Sequence, residues 1–372
     1  MKIFFWQNIN SIHQSTFFRE FSKLSNWDVT LVVTEKIKPF RIEMGWSVPT
    51  IPNLKIKDIS DNSNSFSDII QNNARAIHVF SAINGFKTIN LALNLAVKKD
   101  CKIGIFSESY DYRGFKGKMR YLRGFYHYYK YDKSINFILS TGSIAKNQFT
   151  KFGFNENKIY EWAYSVEPSS NFIPQEKNQV IQFCYAGSLI HRKGVDTLLE
   201  AIKILNNKKL NFECHLYCLK SKEELQQPLL SDFKNLKNIH FYEFLPNSEL
   251  RSKISKHDCF ILPSRHDGWG AVINEALAEG IKVIVSSKCG SSTLVNDGNG
   301  HVLNKVAKED IVEKMTAIIQ DGPLNSYQRN LIQKSYEAKV SGKVLAHYMD
   351  SILSHTFFTT IKSKPKTPWT ES

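Results

Sequence analysis

Short apolar runs alternate with amphipathic segments along the first half of the chain: KIFFW, then HQSTFFREFSKL, then DVTLVVT, followed by AIHVFSA, GFKTINLALNLAVKK and KIGIFS. Runs of this length read as strands and the segments between them as helices, so the alternation predicts a parallel sheet covered on both faces. The pattern then restarts. VIQFCYAG reads as a strand, and in KGVDTLLEAIKIL the residues Val195, Leu198, Leu199, Ile202 and Leu205 recur at helical spacing. NFECHLYCL, NIHFYEFL, HDCFILPS and IKVIVSS predict further strands, separated by helix-like ELRSKISK and AVINEALAEG. Between the halves, PSSNFIPQEKNQ (168–179) carries two prolines and little apolar material, the composition of a linker.

A chain of 372 residues exceeds what one hydrophobic core usually serves, which agrees with two α/β domains in series. The expected division is 1–172, 173–345 and a C-terminal helix or tail, 346–372, able to fold back on the first domain. Its last stretch, IKSKPKTPWTES, is expected to fray. The six cysteines, Cys101, Cys184, Cys214, Cys218, Cys259 and Cys289, fall in apolar contexts without disulfide or paired CxxC spacing, and read as reduced, buried thiols. Cys214, His215 and Cys218 invite a zinc reading, but NFECHLYC alternates like a strand and offers no second ligand pair, so no metal site is expected. The opening MKIFFWQNIN has too short an apolar run for a signal peptide, and no stretch reaches membrane-spanning length. The expected location is cytoplasmic. The net charge is +14, with the positive balance concentrated in the first half.

In parallel α/β sheets, ligands bind beyond the carboxyl ends of the strands, where helix N-termini present unpaired N–H groups. Three stretches fall at such places. In YAGSLIHRKGVD, Arg192 and Lys193 stand before a helix that begins near Gly194, and two cations beside a helix start favour a diphosphate; a solvated loop is the plain alternative. In SRHDGWGAVINEALAEG, Asp267 follows a strand, and a helix starting near Gly270 carries Glu275 on its second turn and closes at Gly280. Gly268 and Gly270 leave room for a ligand to approach the backbone. Two carboxylates at this spacing suit two neighbouring sets of hydroxyls flanking a phosphate; the structural alternative makes Asp267 an N-cap and Glu275 a surface charge. The third stretch, KCGSSTLVNDGNG, is assigned no role.

With these residues in view, the second half resembles the nucleotide-binding domain of glycosyltransferase family 4, retaining enzymes of the GT-B fold with two Rossmann-like domains facing across a cleft. GSLIHRKGVDTLLEA and PSRHDGWGAVINEALAEG carry the resemblance, which is good from about Phe183 to Leu303. It implies that Lys193 contacts the donor diphosphate, Asp267 bonds sugar hydroxyls, Glu275 holds the ribose, and the backbone of Gly268, Trp269 and Gly270 orients the sugar. Lys193, Asp267 and Glu275 are then the catalytic set, with Ser188 and Arg192 also at the donor. The chain departs from the family pattern in three ways. Gly187-Ser188 stands where the family has Gly-Arg, so Arg192 is expected to supply the missing cation. Asp267 stands where Glu is usual. QNINSIH replaces the glycine-rich loop after the first strand, and Ser107 takes the place of a histidine, with Glu108 beside it.

The resemblance further implies transfer with retention from a nucleotide-sugar, UDP- or GDP-linked, without a metal or other cofactor: cations offset the charge that grows on the leaving diphosphate, and Asp267 positions the sugar. Glu108 and His127 are candidates for acceptor contacts. Residues 111–133, DYRGFKGKMRYLRGFYHYYKYDK, hold seven Lys or Arg, including Arg120 and Arg123, and eight Tyr or Phe. Cations interleaved with aromatics suit an anionic membrane surface, against the alternative of a basic helix packed through its rings. The acceptor expected by analogy is lipid-linked or a glycan, in bacterial surface polysaccharide or lipopolysaccharide assembly, at the inner face of the cytoplasmic membrane. Two competing readings are a basic nucleic-acid-binding protein, for which no recognisable module is present, and a non-catalytic GT-B partner, to which Ser188 and the missing glycine loop would point.

Overall fold

The computed structural model describes residues 1–43, 47–169, 180–221, 224, 227–233, 235–358 and 363–370. The chain divides into two compact units. The first comprises residues 1–42, 47–166 and 339–372, and the second is built from 167–338. The boundary thus falls after Val166 instead of residue 172, and the chain returns to the first unit at Lys339 instead of after 345. Of the expected linker, residues 170–179 lie outside the described residues.

In the first unit, strands and helices follow one another as β1 (Lys2–Gln7), α1 (Ile12–Phe21), β2 (Asp28–Val33), α2 (Pro39–Glu43), β3 (Lys55–Asp58), α3 (Phe66–Asn72), β4 (Ile77–Ser81), α4 (Lys87–Lys98), β5 (Lys102–Ser107), α5 (Gly114–Tyr131), β6 (Ile135–Thr141), α6 (Gly142–Lys151) and β7 (Ile159–Trp162). All seven strands pair in parallel, in the order β3-β2-β1-β4-β5-β6-β7. The apolar runs become the central strands because both faces are covered: Ile3, Trp6, Leu31, Val32, Ile77, Phe80, Ile103 and Ile105 are fully buried.

The second unit repeats the scheme with β8 (Ile181–Ala186), α7 (Val195–Asn207), β9 (Phe212–Leu219), α8 (Pro228–Ser231), β10 (Ile239–Glu243), α9 (Asn247–Ile254), β11 (Cys259–Leu262), α10 (Val272–Ala278), β12 (Lys282–Ser286), β13 (Gly300–Leu303), α11 (Lys308–Asp321) and α12 (Ser326–Val340). Its six parallel strands run β10-β9-β8-β11-β12-β13. The predicted stripe of α7, Val195, Leu198, Leu199, Ile202 and Leu205, is buried against the sheet with Phe183, Cys214 and Leu216. In each sheet the chain first builds outward on one side and then crosses to the other, which creates a switch point between β1 and β4 and another between β8 and β11.

The last helix, α13 (Gly342–Phe357), packs on the first unit. Gly342 permits this approach, since a Cβ there would lie 2.5 Å from the Thr16 carbonyl oxygen on α1. Trp27 Nε1 donates to Asp350 Oδ1 at 2.6 Å, and Tyr348 stacks on Trp162. The expected fraying of the end is not observed over residues 363–370. Lys364 Nζ donates to the carbonyls of Glu156 and Ile159 and lies over the Tyr160 ring, and Trp369 is buried against Tyr348. All six cysteines are free and buried.

Candidate active site

The loops after β8 and β11, the two strands that meet at the second switch point, hold each other in place. Gly194 ends the His191–Lys193 turn with a left-handed φ of 71°. A Cβ at that position would stand 2.0 Å from the Pro263 carbonyl oxygen, so only glycine lets the turn sit against the end of β11. Arg265 N–H donates to the Arg192 carbonyl at 2.8 Å, and the Arg265 guanidinium donates to the His191 carbonyl, to both oxygens of Asp196 at 2.7 Å and to Thr197 Oγ1. Burial pushes the Asp196 carboxyl up, but the Arg265 fork outweighs this and holds it below its ordinary value. Arg265 and Asp196 were not anticipated from sequence, because the pairing joins residues far apart along the chain.

This brace brings three of the predicted side chains together. Lys193 Nζ donates to Asp267 Oδ2 at 2.6 Å, and Arg192 Nη1 lies 3.7 Å from the same oxygen while donating to the His266 carbonyl at 2.9 Å. The lysine and the aspartate are 20% and 15% exposed, enough to be reached by a ligand and enclosed enough for their charges to matter. Asp267 is fixed through its backbone as well: its N–H donates to the Lys288 carbonyl, and its own carbonyl accepts from Gly290 N–H. Asp267 is not an N-cap: the helix that follows starts at Val272, with Ala271 at its N-cap. Ser188 lies in the loop after β8, where its carbonyl accepts from the Tyr185 hydroxyl and from Ile190 N–H.

The helix carrying Glu275 begins later than expected. Gly270 has a φ of 89°, outside the helical region, and α10 starts at Val272, which puts Glu275 on its first turn and not its second. Glu275 is 3% exposed, so it is not a surface charge. Its Oε1 accepts from Asn247 Nδ2 at 2.9 Å, a partner at the start of α9 that sequence reasoning missed. Trp269, counted with Gly268 and Gly270 at the donor, turns its side chain into the core: it is 1% exposed, and its Nε1 donates to Asn274 Oδ1 at 2.6 Å. What Trp269 can offer a ligand is backbone only.

The remaining candidates lie on the first unit. Glu108 is exposed and accepts from the Tyr164 hydroxyl at 2.5 Å. His127 is buried on the inner face of α5; burial, with Arg123 and Lys130 nearby, lowers its pKa to about 4. A buried, neutral ring does not suit an exposed acceptor contact. Arg120 and Arg123 are exposed, with Arg120 donating to the Asp111 carbonyl. The inner face of α5 is set by glycines, because a Cβ on Gly117 would meet the Tyr112 backbone at 2.0 Å and one on Gly124 the Phe152 ring at 2.2 Å. The opposite face carries Phe115, Met119, Leu122, Tyr126 and Tyr129, all exposed and spaced three and four residues apart. Tyr129 is 89% exposed and Phe115 79%. No helix among the described residues is long and apolar enough to cross a membrane.

Two parallel α/β units of this topology have the architecture of the GT-B glycosyltransferases. Residues 167–338, the whole of the second unit's main segment, match the family model for glycosyl transferases group 1. The chain is similar to the capsular polysaccharide biosynthesis glycosyltransferase CapM of Staphylococcus aureus, 27% identical over 217 residues, a match covering 58% of this chain and 54% of CapM. Its fold is shared with the lipopolysaccharide outer core galactosyltransferase WaaB in apo form, at a TM-score of 0.68 and 16% identity over 95% of this chain and 99% of that one. It is also shared with Anabaena HepE in complex with UDP, at a TM-score of 0.69 and 11% identity over 95% and 100% of the two chains.

Proposed function

We propose that the protein is a retaining glycosyltransferase of family 4 that moves a sugar from a nucleotide-sugar to a lipid-linked or polysaccharide acceptor in bacterial surface polysaccharide or lipopolysaccharide assembly. The observation that carries this reading is the Lys193–Asp267 contact at the switch point of the second sheet, with Arg192 beside it. A cation poised against an acid can take up a diphosphate and leave the acid to a sugar hydroxyl. Lys193 and Arg192 would offset the charge developing on the leaving diphosphate, the part that oriented cations play in stabilising such transition states. Glu275, buried and oriented by Asn247, suits a pair of ribose hydroxyls, which a carboxylate accepts from through its two oxygens. UDP is the first diphosphate to try, since HepE was solved with it.

The acceptor side of the proposal rests on α5. Its exposed apolar stripe is flanked by Lys116, Lys118, Arg123 and Lys130, the pattern of a helix lying in the head-group region of an anionic membrane. Nucleic-acid binding accounts for the charge but not for Asp267 and Glu275. The test is a thermal-shift series with UDP-, GDP-, ADP- and CMP-sugars: one class of donor is expected to raise the melting temperature, and Glu275→Ala to abolish the shift while the unliganded protein still melts cooperatively. No shift with any donor would sink the reading, and an unfolded Glu275→Ala variant would return Glu275 to a structural role.

A further inference from the structure

A second cluster of polar side chains lies on the second sheet, at the end of the strands away from Lys193 and Asp267. Glu213 and His215 are two residues apart on β9 and stand on one face, while Cys214, Leu216 and Cys218 enter the core from the other. His240 on the edge strand β10 pairs directly across from His215. The two rings stack with centroids 4.6 Å apart. Glu213 Oε2 lies 3.5 Å from His215 Nε2 and 3.7 Å from His240 Nε2, and the three atoms all fall within 4.8 Å of one another.

We infer that Glu213, His215 and His240 form a binding site for a divalent transition-metal ion of the zinc class. Ligands at about 2.1 Å in a tetrahedral shell stand roughly 3.4 Å from each other, so these atoms already approach the spacing of three corners. Two imidazoles and one carboxylate select zinc-like ions over magnesium or calcium, which favour all-oxygen shells. The surroundings fit as well. His240 Nε2 is buried without a hydrogen-bond partner among the described residues, a state that costs free energy and that a metal would relieve. The Tyr242 hydroxyl lies 3.1 Å from His215 Nδ1; when Nδ1–H donates to it, the lone pair sits on Nε2, as outer partners of metal-bound histidines arrange. Without an ion, His215 Nε2–H donates to Gln182 Oε1 at 2.8 Å; metal binding would replace that bond and shift the ring proton to Nδ1, facing the Tyr242 hydroxyl.

Such an ion would clip the edge strand β10 to β9, just before the register between them slips at Tyr242 and Glu243. The site is therefore structural or regulatory and separate from the donor loops, and it does not depend on the transferase reading. Chelator-treated full-length protein titrated with zinc chloride by calorimetry is expected to take up one ion that His240→Asn and Glu213→Gln each weaken at least tenfold. Glu275→Ala should leave it unchanged. Cobalt loaded in its place should show ligand-field bands without thiolate charge transfer, because every cysteine is buried. Glu213 is 41% exposed, so Glu213→Gln is expected to fold even if a histidine variant does not. A wild-type chain that binds no zinc, or variants that bind it as tightly as wild type, would overturn the assignment.

Discussion

Replacing Asp267 with Asn separates the ion pair it forms in the structure from the sugar contact proposed for it. In the unliganded protein the carboxylate neutralises Lys193 at 2.6 Å and lies 3.7 Å from Arg192. A diphosphate that reaches these cations comes close to the same carboxylate. At roughly 7 Å and an effective dielectric of about 20, each unit of phosphate charge is repelled by about 2 kcal/mol. Asp267→Asn removes that repulsion and leaves two adjacent cations without their acid, so UDP alone is expected to bind roughly tenfold or more tighter. A UDP-sugar gains the same term but loses a charge-assisted bond to a sugar hydroxyl, about 1.5–3 kcal/mol, so its affinity changes little. If that bond holds the sugar in its reactive position, turnover should fall by about 10- to 100-fold. Calorimetry with UDP and a transfer assay with the donor selected by thermal shift give the two numbers. Weaker UDP binding together with lost turnover would refute the reasoning, because it would make Asp267 an anchor for Lys193 and not a group that handles the sugar.

Gly194→Ala should cost about 2 kcal/mol or more, from a left-handed φ of 71° and a Cβ driven into the Pro263 carbonyl, and should weaken donor binding as the Lys193 turn shifts; an unchanged melting curve would contradict this. Phe115→Ser with Leu122→Ser, both at exposed positions, should reduce sedimentation with anionic vesicles more than tenfold with no loss of stability, and Arg120→Glu with Arg123→Glu should act in the same direction; unchanged sedimentation would remove the membrane argument. Acid should destabilise the fold through His78 and His127. Burial lowers His78 to about 4, and burial with two nearby cations lowers His127 to about 4, so the unfolded chain takes up protons first as pH falls below the ordinary value of 6.5. Stability is then complete above about pH 6.5 and is lost toward pH 4, on the order of 2 kcal/mol per histidine by pH 5. A melting temperature flat between pH 7 and 5 would show that these rings are not the buried neutral groups the structure places there.

The predicted strands and helices of both halves are present because central parallel strands must be apolar on both faces, and a run such as KIFFW or CFIL has few other uses. The edges follow a weaker code. Strand β3 is KIKD, exposed at all four positions and paired to β2, so no apolar pattern marks it. The end of the chain was misjudged for a related reason. Lys364 and Trp369 look like parts of a polar tail until Glu156, Ile159, Tyr160 and Tyr348 supply the carbonyls and rings that bind them. The inner face of α5 was open to inspection, since Gly117 and Gly124 are seven residues apart and mark where the helix approaches its neighbours closely.

For the candidate site, a single sequence shows which loop a residue occupies more readily than which partner it meets. Lys193 and Asp267 could be located because each follows a strand, and strand order at the switch point brings their loops together. Arg265 and Asn247 could not, because their value lies in bonds to Asp196 and Glu275 across the fold. Trp269 was read only through its backbone, and its buried ring, with its N–H on Asn274, leaves only the backbone to a ligand. Glu213, His215 and His240 show the same limit, since a strand read alone puts His215 beside two cysteines that point the other way, and only the register of β9 against β10 supplies His240. Side chains that act on a ligand through one strand end are thus legible from pattern, whereas those that act through a partner on another strand become visible only when the pairing is known.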